Sequence, residues 1–138
     1  MGRVNASRVV LGGLLAGVVI NVLDAASQLL PVDTISWITD LGLPEPGGGA
    51  MATWLVLGFV VGVAAVWLYA AIRPRFGPGP GTAVKAGLFA WVFATAIWSA
   101  FYLFGLSSPM GFVMAGVIGL INVLAASWVG AKLYSEAA

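Results

Sequence analysis

Four long apolar runs, 9–30, 50–72, 83–104 and 110–133, constrain this chain more than any other feature. Each is near the roughly 20 residues that a helix needs to cross a bilayer core about 30 Å thick. In hydrocarbon every backbone N–H and C=O must find a partner inside the protein, so single runs of this length cross as helices. The expected fold is all-α, an integral membrane four-helix bundle in which residues 1–138 form one transmembrane domain. With 61% hydrophobic and 8% charged residues, the composition lies far outside the range of soluble domains.

The charges give the bundle a direction. Arg3, Arg8, Arg73, Arg75, Lys85 and Lys132 fall at the N-terminus, in the second connection or at the C-terminus, whereas Asp33, Asp40 and Glu45 occupy the first connection. Because the Lys/Arg bias sets orientation, both termini are expected in the cytoplasm, with loops 31–49 and 105–109 outside. The opening "MGRVNASR" also fits the basic region of a signal peptide, with "DAAS" as small residues at a cleavage site. The expectation is that the segment is retained as the first span.

In the first outer loop, Asp33 or Thr34 can cap a short helix carrying Ile35, Trp37, Ile38 and Leu41, stopped by the prolines and glycines beyond. Such a helix is expected to lie on the outer membrane surface. The second connection, "WLYAAIRPRFGPGPGT", places Trp67 and Tyr69 at headgroup depth. Arg73 and Arg75 can then contact lipid headgroups, and Pro74 is expected to end the helix, since it lacks an N–H. The "GPGPGT" run is not a phosphate loop: it has no Gly-Lys-Ser/Thr ending, and its prolines remove the amides that would hold a phosphate.

"WLYAAIRPRFGPGPGTAVKAG", with "GGLLAGVVINVLD" before it and "PEPGGGA" ahead of the second span, resembles a group of small bacterial four-helix membrane proteins. The resemblance covers most of the chain. It implies topology and a bacterial cytoplasmic (inner) membrane, and it carries over neither an activity nor functional residues. "INVLDAAS" (20–27) and "INVLAAS" (121–127) echo one another, but they span one helix and differ by a gap, which reads as coincidence of composition.

At 100° per residue, Gly13, Gly17, Asn21, Asp24 and Gln28 share one stripe of the first helix. Gly58, Gly62, Ala65 and Tyr69 line up with Met51 on the second. Trp91, Thr95, Trp98, Ser99 and Tyr102 form one face of the third, with Phe89, Phe93 and Phe104 opposite, suited to lipid. On the fourth, Gly111, Ala115, Gly119, Asn122, Ala126 and Val129 align. Membrane helices associate through small residues and interhelical hydrogen bonds, so these stripes are expected to face inward, with Gly13, Gly17, Gly58, Gly62 and Gly119 as packing positions. At 1.5 Å per residue, Asn21, Thr95 and Asn122 each lie about 18 Å into the membrane, with Asp24 and Ser99 one turn further out. A polar intramembrane cluster of Asn21, Asp24, Thr95, Ser99, Tyr102 and Asn122 is thus geometrically allowed.

Three roles fit Asp24. It can be hydrated near the outer interface, it can bind neighbouring helices together, or it can form a site for a cation, proton or polar substrate. The absence of Cys and His removes thiol catalysis, disulfides, the usual zinc sites and histidine-ligated haem. Intramembrane proteolysis needs a base or a second acid, and no catalytic motif is present, so an enzyme is not expected. No metal or resident cofactor is expected, although bound lipid or pigment fits the aromatic third helix. The scattered cations and a net charge of +1 give no nucleic-acid signal. The sequence is therefore read as a non-enzymatic membrane protein, an accessory or structural subunit of a larger complex or a homo-oligomer, with a small transporter or channel as the alternative. Its partners on this reading are membrane lipids, other membrane subunits or further copies of itself.

Overall fold

The computed structural model describes residues 4–30, 42 and 44–136. Four helices follow one another: α1 (Ala6–Ser27), α2 (Gly48–Phe76), α3 (Pro80–Leu103) and α4 (Pro109–Ala131). Each is long and apolar enough to cross a membrane, which makes the chain a multi-pass integral membrane protein. The surface helix expected in the first outer loop, and the residues proposed to build it, lie outside the described residues.

Local chemistry sets the helix ends. Asn5 caps α1, its side-chain oxygen accepting from the Arg8 N–H at 3.2 Å. Ser108 caps α4 in the same way, accepting from the Gly111 N–H at 3.0 Å, with Pro109 following at the first helical position. Between α3 and α4 the chain reverses at Gly105, φ +75°. There the Leu106 N–H reaches the Phe101 carbonyl and the Gly105 N–H the Tyr102 carbonyl, the paired bonds of a Schellman turn.

Pro74 does not end α2. The helix runs through it to Phe76, because within a turn of the terminus the missing N–H forfeits only one backbone bond. The chain leaves the helix at Gly77, φ +81°, where the Gly77 N–H still bonds the Arg73 carbonyl at 2.8 Å. Thr82 then fastens the start of α3 back onto this turn, donating to the Gly77 carbonyl at 2.7 Å.

The cross-section is a lozenge. α1 packs on α2 and α4, α3 packs on α4 and more lightly on α2, and α2 touches α4 across the short diagonal, while α1 and α3 do not meet. Glycines set the spacing. A methyl added to Gly13 would lie 2.5 Å from the Val63 Cα, one on Gly17 2.7 Å from the Phe59 Cα, and one on Gly62 2.5 Å from the Gly13 carbonyl oxygen. Gly12 and Gly130 bring α1 and α4 equally close: a methyl on Gly12 would stand 2.5 Å from the Gly130 oxygen. Such approach is what drives helix association where burial from water cannot.

The apolar core is uneven along the bundle. Val9, Ala16, Ile20, Val66, Tyr69, Ala70, Ala83, Ala86, Ala126 and Tyr134 form the core, most of them toward the end that carries both chain termini. In α3 the buried residues stop at Gly87, and from Leu88 onward the helix exposes a continuous apolar and aromatic surface that includes Phe89, Phe93 and Ile97.

Candidate functional site

The polar residues of α1 face the small residues of its neighbours, and this places Asp24 where three helices meet. Its Oδ1 accepts a hydrogen bond from Asn122 Nδ2 of α4. Its Oδ2 accepts from the indole Nε1 of Trp54 in α2, at 3.2 Å. Asn122 is almost wholly buried, at 4% exposure, so the contact with Asp24 removes an amide donor from an apolar interior. Ser27, one turn along, closes the helix end by donating to the Asp24 carbonyl at 2.7 Å.

Asn21 lies one turn deeper. Its Nδ2 donates to the Gly17 carbonyl of its own helix at 3.0 Å and to the Leu55 carbonyl of α2 at 3.2 Å. Its Oδ1 is buried without a conventional donor and packs against Gly58, where a methyl would come within 2.6 Å of it. Only a glycine admits the amide at this depth. The side chain is thereby wedged between two backbones, a recurrent way for membrane helices to use Cα–H groups as weak donors.

The six residues expected to cluster are divided by the lozenge. Asn21, Asp24 and Asn122 come together at the α1–α2–α4 junction. Thr95, Ser99 and Tyr102 ride on α3, which does not pack on α1, and the donors that meet the Asp24 carboxylate are Asn122 and Trp54 instead. Ser99 instead donates to the Ala96 carbonyl of its own helix at 2.7 Å. Tyr102 stacks on Phe112 of α4, ring centres 5.1 Å apart. Thr95 borders an open apolar groove of about 280 Å³ between α3 and α4, beside Trp91 and Gly116. Trp91 crosses that space to donate from Nε1 to the Gly116 carbonyl at 2.8 Å.

Among the expected packing glycines, Gly13, Gly17, Gly58 and Gly62 sit at close approaches between α1 and α2, whereas Gly119 does not. A methyl there would meet only the side chain of Trp91, at an ordinary 3.9 Å. Trp54, Gly12 and Gly130 were not singled out by the sequence pattern. Trp54 lies at the end of α2 away from the chain termini, level with Asp24, and matching the depths of the two ends would have paired them.

A second polar arrangement lies at the opposite end. Arg73, expected at the headgroups, lies against the C-terminal segment of its own chain. Its side chain is 20% exposed, with Nη1 3.7 Å from Glu136 Oε1 and the guanidinium 5.5 Å from the centre of the Tyr134 ring. The cause is the chain beyond α4, which folds back so that Tyr134 is buried, its hydroxyl accepting from the Asn5 N–H at 3.3 Å. Tyr134 also packs edge-on against Tyr69 at 5.9 Å, and the Tyr69 hydroxyl accepts from the Gly79 N–H at 3.3 Å. Arg75, by contrast, is exposed.

Among the described residues no group of three or more His, Cys, Asp or Glu side chains is placed to hold a metal ion. Comparison with protein-family models, curated proteins and solved structures returns no match to this chain.

Proposed function

We propose that this chain is a non-enzymatic integral membrane protein of a bacterial cytoplasmic membrane, working as a structural or accessory subunit of a larger complex or as a homo-oligomer. One observation carries the reading: the intramembrane polar groups of α1 are committed to holding helices. Asp24 is engaged by α4 and α2, and Asn21 by α2 and its own helix. All four helices carry exposed apolar side chains, but α3 is the least covered, and beyond Gly87 its large apolar and aromatic side chains offer area to a neighbouring protein.

Orientation follows from the charges. Arg8, Arg73, Arg75, Lys85 and Lys132 all stand at the end where the two chain termini meet, which supports reading that end as the cytoplasmic one. The bacterial assignment rests on the resemblance of the second connection and the first span.

The deciding experiment is native mass measurement after release from host membranes in mild detergent. The expected result is either a fixed homo-oligomer or a fixed ratio with other membrane polypeptides. A lone chain at every protein concentration would overturn the proposal.

Transport is favoured by a different observation. Asp24 is met by two neutral donors, and among the described residues its carboxylate has no ion-pair partner; the single ion pair is Arg73–Glu136. A carboxylate held this way in a membrane suits a passing cation or proton. In proteoliposomes, Asp24→Asn would then abolish flux while leaving oligomer size unchanged, and equal flux in both proteins would exclude this reading.

A further inference from the structure

We propose that Arg73 binds the phosphate of an anionic phospholipid, and that Glu136 is a tethered carboxylate competing for the same guanidinium.

At 1.5 Å per residue the 29 residues of α2 extend about 43 Å, well beyond a hydrocarbon core of about 30 Å. Arg73, three residues from its end, therefore stands in the headgroup layer. Two of its nitrogens, Nε and Nη1, are buried and donate to no described group. Glu136 does not satisfy them: at 3.7 Å it neutralises charge without accepting a hydrogen bond. A buried guanidinium with free donors is costly, and the oxygen pair of a phosphate matches the planar fork of arginine.

The surroundings favour the same ligand. Tyr134 forms a fixed wall beside the guanidinium, held by its bond to Asn5 and its contact with Tyr69. Arg8, Arg75, Lys85 and Lys132 are exposed at the same end and raise the local concentration of anions. Glu136 lies past the end of α4 with its side chain 37% exposed, in the position that a phosphate would take. A lipid headgroup and free phosphate present the same chemistry, and depth in the membrane favours the lipid. The proposal requires only that the chain spans a bilayer, and it stands whether the protein is a subunit or a transporter.

The test uses the full chain in nanodiscs containing equal phosphatidylcholine and phosphatidylglycerol, with lipids retained after gentle release counted by native mass spectrometry. The wild-type protein is expected to keep one phosphatidylglycerol in preference to phosphatidylcholine. Arg73→Gln should reduce that preference about tenfold or more, as loss of charge-assisted bonds implies. Arg73→Lys, which keeps the charge and loses the fork, should fall between, and it serves if the glutamine variant does not fold. Glu136→Gln should strengthen retention. Loss of retention in Arg75→Gln equal to that in Arg73→Gln would reduce the effect to diffuse charge and overturn the site. So would a wild-type protein without preference. Displacement of the lipid by millimolar inorganic phosphate would assign the pocket to the free anion and overturn the lipid assignment.

Discussion

Asp24 and Asn122 come from helices 98 residues apart in sequence, and their hydrogen bond is a direct measure of how α1 and α4 hold together. Interhelical hydrogen bonds in membrane proteins contribute about 0.6 kcal/mol on average and at most about 1.7. A double-mutant cycle of Asp24→Ala and Asn122→Ala, followed by reversible unfolding in mixed micelles, should give a coupling of about that size. A coupling indistinguishable from zero would mean that the two side chains do not bond in the membrane. Trp54→Phe removes the second donor to the carboxylate while keeping the ring, and should destabilise by about 0.5–1.5 kcal/mol. The stripe of α1 that carries Asn21 and Asp24 was legible from 3.6-residue spacing alone. Their partners were not, because spacing along one helix says which side chains share a face and nothing about which helix that face meets.

Among the elements, α1 and α2 form the closest pair, and their glycines are not interchangeable with others in the bundle. Gly62→Ala drives a methyl into the backbone of α1 near Gly13 and Gly17 and should cost about 1–3 kcal/mol, as overpacking does. Gly119→Ala meets only an ordinary contact. It should be neutral, or stabilising by up to about 1 kcal/mol through helix propensity. Thermal or denaturant unfolding of the two variants side by side checks the contrast, and equal destabilisation would show that the α3–α4 seam is as tight as the α1–α2 seam.

Four helices and their faces were readable from run length and the positions of small residues. The lozenge was not: four inward stripes fit a square as well as a rhombus, and only in a square could Thr95 and Ser99 approach Asp24. Nor could Pro74 reveal that α2 continues past it, since proline forbids a hydrogen bond without dictating where the next residues turn. The glycine with φ +81° three residues later makes that decision.

For the molecule as a whole, the chain's lack of cysteine makes topology simple to measure, because any introduced thiol is unique. Pro78→Cys, between α2 and α3, should react with a membrane-impermeant reagent only after cells are opened. Ser108→Cys, ahead of α4, should react in intact cells. The reverse pattern would invert the protein and contradict the orientation drawn from its cations. Hydrogen exchange should likewise divide the bundle, with slow amides in Ala65–Ala70 and Ala83–Gly87 and faster ones in Ser99–Leu103 and Met110–Val113. Uniform protection along α3 would show that its far half is shielded as well as its packed end, by acyl chains or by a neighbour.

The shallow hold on α3 beyond Gly87 has a mechanical consequence. α1, α2 and α4 are tied to one another at Asp24 as well as near the termini, whereas buried residues rivet α3 only at the end that carries the termini, so a strain on the assembly is taken up by the far tips of α3 and α4. In a thinner or thicker bilayer those tips tilt to match the hydrocarbon, while the riveted end keeps its shape. Spin labels across the α3–α4 seam should therefore change separation with acyl-chain length, and labels at the Tyr69–Tyr134 end should not.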